Sequence, residues 1–111
     1  MPPPVANLIA RLVAGTQPGA ATAAGVRFGA SPRAALALAA AAKARGLAEG
    51  RVNAAYEDVR AVAAPVLRHR VVLDYAARLD GLSPDAFVAR LVEATPAHDK
   101  VLPTSLADAK V

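Results

Sequence analysis

The chain has 111 residues, enough for one small domain. It is 55% apolar, but 30 of its residues are alanine and only 29 are Val, Leu, Ile, Phe or Met, so close helix packing, modest stability and support from a neighbouring domain are expected. A net charge of +4 admits an acidic partner, a nucleotide or a nucleic acid, while the absence of cysteine excludes a disulfide framework, a thiolate metal site and a thiol nucleophile.

Taken in chain order, Val5, Leu8, Ile9, Leu12 and Val13 recur at helical spacing and predict an amphipathic helix over 4–14. Asn7 and Arg11 interrupt its apolar run and no positive region precedes it. The start therefore reads as neither a signal peptide nor a membrane span, and a soluble, cytoplasmic protein is expected. Gly15 ends this helix, and 15–25 is a flexible loop of small residues before a brief extended piece, Val26-Arg27-Phe28. Ser31 and Pro32 supply an N-cap and a favoured first helical residue for a second helix that reaches about Leu47. Leu36 and Leu47 lie on one face of it, Leu38 nearly opposite, and alanine fills most of the rest, which predicts a central helix touched on several sides. A third helix is expected over Ala55–Ala64, with Glu57 and Asp58 in its first turn. Pro65 is expected to interrupt it, with a fourth helical piece over Val66–Leu79 and a stop at Gly81. Ser83-Pro84-Asp85 opens a fifth helix to about Ala94 with Phe87, Val88, Leu91 and Val92 on one stripe, and from Pro96 onward two prolines and weak periodicity suggest a disordered tail. The expectation is an all-α bundle of about five helices over 1–95, with a flexible tail over 96–111. ARLVAGT (10–16) and ARLVEAT (89–95) share a hydrophobic phase, but in so alanine-rich a chain this is no evidence of a repeat.

One residue is out of place. A helix start gathers free N–H groups and about half a positive charge, so Arg33 in the first turn of the second helix costs roughly 0.3–1 kcal/mol. The same features attract phosphate, and a guanidinium adds a forked donor suited to phosphate oxygens. Arg33 is thus either an anion-seeking group or a surface cation that pairs with a carboxylate or is merely solvated.

The segment 26–73 resembles the C-terminal lid domain of MoxR-family AAA+ ATPases, and the likeness extends over most of 5–95. Its marks are the GASPR stretch Gly29–Arg33, a small-residue helix, Gly50-Arg51, Glu57-Asp58-Val59 and Pro65-Val66-Leu67-Arg68-His69-Arg70. Leu82-Ser83-Pro84-Asp85 fits the closing segment. The resemblance implies that Arg33 is the sensor-2 arginine, supported by Gly29, Ser31 and Pro32, reaching from the lid to the γ-phosphate of ATP. It further implies ATP and Mg2+ in a longer parent ATPase, with none expected on this piece. Implied partners are the nucleotide-binding domain of the same chain, neighbouring subunits of a ring and von Willebrand factor A-domain proteins. The parent would act like a chaperone in complex maturation or metal-cofactor insertion. Two positions depart from the family pattern. Gln17 stands where an arginine is common, and Ala55-Tyr56 replaces a Thr-Pro pair, so the third helix is expected to start raggedly or to be capped by Asn53.

The chain carries no phosphate loop and no magnesium-holding acidic strand, and phosphoryl transfer needs both, so no catalytic residue is assigned within it. Arg60, Arg68, His69, Arg70 and Arg78 offer a different reading, a freestanding basic module for nucleic acid. No aromatic interleaving supports it, and Arg68, His69 and Arg70 read instead as a solvated face or as a contact surface to a nucleotide-binding domain. His69 and His98 have no neighbouring ligand residues, so no metal site is expected. Glu57 and Asp58 need only a helix-dipole role, and Ser31 lacks a base that would make it a nucleophile.

Overall fold

A computed structural model describes residues 2–96; of the tail expected over 96–111, all but Pro96 lies outside the described residues. In chain order the elements are α1 (Pro3–Ala14), β1 (Val26–Phe28), α2 (Pro32–Ala48), α3 (Tyr56–Leu67), β2 (Val72–Leu73), α4 (Tyr75–Leu79) and α5 (Pro84–Ala94). Helices α1, α2, α3 and α5 surround one core in which Leu8, Leu12, Leu38, Val59, Leu67, Phe87, Val88 and Leu91 are almost fully enclosed. The apolar stripes read from the sequence for α1 and α5 turn inward through Val5, Leu8, Ile9 and Leu12 of α1 and Phe87, Val88 and Leu91 of α5, while Val13 and Val92 are half-buried at their margins.

Alanine shapes the middle of the bundle. Helix α2 buries Ala34, Leu38, Ala42 and Gly46, four positions at i+4 spacing, so the backbone of α2 lies close to α3 and α1. Its opposite side is open, with Leu36 at 72% and Leu47 at 67% exposure. The expectation of a helix enclosed on several sides is therefore corrected: within the described residues α2 has one buried face.

The stretch after Pro65 is also corrected. Helix α3 continues through Pro65 to Leu67, because Pro65 sits near its exposed C-terminal end. The carbonyl four residues back belongs to the exposed Ala61, where water can replace the lost hydrogen bond. A turn at Arg68–Arg70 follows, and the chain then extends as β2 instead of forming one long fourth helix. β2 pairs antiparallel with β1, Val26 opposite Leu73 and Phe28 opposite Val72, so the extended piece expected at 26–28 finds its partner there. Asp74 next caps the short α4 by accepting from the Ala77 N–H at 2.8 Å, which fixes a new helix start inside the segment. The backbone N–H of Asp74 reaches the Gly25 carbonyl at 2.8 Å and ties this start to the loop before β1.

Candidate functional site

The GASPR segment leads from β1 into α2. Pro32 holds the first helical position, as read from the sequence, and Ser31 holds the N-cap position in extended geometry. The hydroxyl of Ser31 nevertheless makes no capping hydrogen bond, so it marks the boundary without closing it. Arg33 follows in the first turn and is exposed, with no hydrogen bond or ion pair to any described residue. The start of α2 thus presents a guanidinium, an uncommitted hydroxyl and a helix-end potential in one place, the elements of an anion-binding end.

Two residues at the end of α1 hold this segment. Thr16 is fully buried; its hydroxyl donates to the Val13 carbonyl at 2.6 Å and accepts the Ala30 N–H at 2.9 Å. The Gln17 side-chain amide donates to the Ala30 carbonyl at 2.8 Å and also lies 3.1 Å from the Thr16 hydroxyl. Gly29 is needed between them: a Cβ there would stand 2.5 Å from the Thr16 carbonyl oxygen, closer than real side chains come. Beside this junction Ala10, Val13, Ala14 and Ala35 wall an open cleft of about 480 Å3, rimmed by Gln17, Ser31 and Pro32.

A second polar cluster joins α2 to α3. Asp58 is fully buried and accepts from Arg45 at 2.7 Å, from Arg51 and from the Ala55 N–H at 2.7 Å. The Ala55 N–H bond, helped by the Arg45 and Arg51 guanidinium groups, holds this carboxyl below the usual value of 3.8 against the opposing effect of burial. Gly46 makes room for it, since a Cβ there would sit 3.2 Å from Asp58 Oδ2 and 3.3 Å from the Asn53 carbonyl. The start of α3 is therefore neither ragged nor capped by Asn53. Ala55 has no acceptor in its side chain, and Asp58 reaches back to the Ala55 N–H instead. A bland dipole role for Asp58 is corrected to that of a buried anchor for two arginines. The sequence held one signal for it, an acid in the first turn of a helix whose cap position lacks a side-chain acceptor.

Arg68, His69 and Arg70 lie together in the turn after α3. Arg68 Nε lies 3.0 Å from Asp85 Oδ1, a bridge from the end of α3 to the start of α5. Arg70 folds onto the Val66 carbonyl at 2.9 Å, and His69 is exposed without a partner. Arg60 lies apart, next to Glu93 and Val92 of α5. No group of three or more His, Asp or Glu among the described residues could hold a metal ion, and no described helix is long and apolar enough to cross a membrane. His98 lies outside the described residues.

The described residues thus form a small helical bundle with a two-stranded antiparallel sheet, and an exposed arginine stands in the first turn of the alanine-rich helix. The AAA lid domain family matches residues 19–91, and the chain belongs to that family. Within it the likeness is to MoxR-type proteins. Over 68 residues the chain is 46% identical to chaperone MoxR1 of Mycobacterium tuberculosis, covering 61% of this chain and 18% of that protein. The crystal structure of a protein assigned as an ATPase from Cytophaga hutchinsonii shares the fold, with a TM-score of 0.77 and 29% identity, covering 89% of this chain and 31% of that one. The chain thus spans less than a third of either relative, and the domain it represents is a MoxR-family AAA+ lid.

Proposed function

We propose that this domain closes over ATP held by a nucleotide-binding domain and presents Arg33 to the γ-phosphate as the sensor-2 arginine. The observation that carries the reading is the start of α2, where an exposed, unpartnered guanidinium stands in a helix turn that would favour an acid. A phosphate brought there converts that local repulsion into attraction. Arg33 and the Ser31 hydroxyl are the groups of this chain that would meet it. The Mg2+ that accompanies ATP finds no ligand cluster among the described residues and would be held by the nucleotide-binding domain.

In the same reading the domain helps join neighbouring subunits into a ring. The parent is a cytoplasmic, chaperone-like ATPase, a hydrolase acting in complex maturation or metal-cofactor insertion with von Willebrand factor A-domain partners. Likeness to a protein named a chaperone supports this, together with an open face of α2 available for contact. The nucleic-acid alternative is weakened because Arg68 is engaged by Asp85. The test is Arg33→Ala in the protein that includes the nucleotide-binding domain. ATP turnover and nucleotide-dependent assembly should both fall, and if neither changes the sensor role is lost.

A further inference from the structure

We infer that Thr16 and Gln17 are positioning residues that clamp the end of α1 to the GASPR segment, so that Arg33 moves with α1 as one rigid body. Along the chain, Gln17 and Ala30 are joined by a longer path of successive turns and β1. The clamp bypasses it. Ala30 is only 2% exposed, and both polar groups of its backbone are taken by side chains from the end of α1: the N–H by Thr16 and the carbonyl by Gln17. Without them two backbone groups of a buried residue would be left unsatisfied, which is a strong local constraint. Gly29 lets the Thr16 carbonyl approach to a distance no side chain would permit, and Pro32 fixes the backbone between Ala30 and Arg33. The exposed Gln17 amide, at the position that departs from the family pattern, has a defined task here.

The consequence rests on the sensor reading. A swing of α1 relative to the nucleotide-binding domain would carry Arg33 toward or away from the phosphate. Two measurements separate the clamp from that reading. Amide hydrogen exchange on this 111-residue chain compares Thr16→Val, which keeps the shape and removes the hydroxyl, with Thr16→Ser, which keeps the hydroxyl. The Ala30 and Ala34 amides should exchange at least about tenfold faster in Thr16→Val, while Val88 and Leu91 of α5 stay within about twofold and Thr16→Ser resembles the parent. Equal acceleration in both regions, or none in either, overturns the clamp.

In the protein bearing the nucleotide-binding domain, Thr16→Val should lower kcat for ATP about tenfold with KM nearly unchanged, and should add nothing to Arg33→Ala. Gln17→Ala, at an exposed position that spares the core, should lower kcat about threefold at an unchanged melting temperature. Fully additive losses for Thr16→Val and Arg33→Ala, or an unaltered kcat in Gln17→Ala, refute the coupling. Should Arg33→Ala itself have no effect, the sensor reading fails and the exchange pattern alone decides the clamp.

Discussion

Helices α2 and α5 both begin with serine, proline and a charged residue: Ser31-Pro32-Arg33 in one and Ser83-Pro84-Asp85 in the other. At α5 every group has a local use. The Ser83 hydroxyl accepts the Ala86 N–H at 3.1 Å, and Asp85 suits the helix potential and meets Arg68 across the gap to α3. At α2 the hydroxyl makes no cap and the charge has the unfavourable sign and no partner among the described residues. One sequence signature thus builds a self-sufficient helix end and an incomplete one, and the residue after proline separates them. The completed end stabilises this domain; the incomplete end matches a role that depends on another molecule.

The comparison breaks most visibly at Arg33 and Asp85. In the protein with its nucleotide-binding domain, Arg33→Ala should lower ATP turnover about 100-fold, the scale for losing one charged contact to a developing anion, whereas Asp85→Ala should change it less than about twofold. Steady-state ATPase assays check both, and similar losses at the two positions would erase the distinction. The start of α3 gives a third variant of a helix end, in which Asp58 caps from within. Its carboxyl lies below the ordinary range when folded, so the stability it contributes is fully present above about pH 4 and is lost as pH falls through the folded value. Melting curves from pH 7 to pH 2 should show that loss, while Asp58→Asn should melt lower at pH 7 and show a flatter acid limb.

Helix identity and the inward stripes of α1 and α5 were legible because apolar periodicity and Ser-Pro signals act locally. The fold around Pro65 was not. A proline near an exposed helix end costs little, and the strand pair that replaces a longer helix needs β1, some 45 residues away, to exist at all. The exposure of Leu36 and Leu47 was equally hidden, since apolar side chains on a helix do not say which of its faces has a neighbour within the domain. At the site, Arg33 stood out because its charge conflicts with the helix end. Thr16 and Gln17 carried no such conflict, and their pairing with Ala30 emerges only when the chain folds back on itself. Asp58 was placed in the right turn, yet the convergence of Arg45 and Arg51 upon it belongs to the packing of α2 against α3.

Smaller effects sharpen the contrast between the two serines. Ser83→Ala removes a cap acceptor and should cost about 1 kcal/mol in urea unfolding of the chain. Ser31→Ala removes no cap bond and should stay within about 0.5 kcal/mol of the parent, the usual range for surface changes. Equal losses would mean that Ser31 caps α2 in solution.

The smallest expected shift is also the most specific. Arg33→Asp replaces a cation with an anion at the helix end and should stabilise this chain by about 0.5 kcal/mol, more at low salt than at high. The same change in the protein with its nucleotide-binding domain should lower ATP turnover at least as far as Arg33→Ala, because an acid repels the phosphate that the guanidinium would attract. A variant that folds better and turns over less is the expected mark of a charge kept for a ligand. If Arg33→Asp instead destabilises the chain, Arg33 has a favourable contact within the domain and the two helix starts are alike after all.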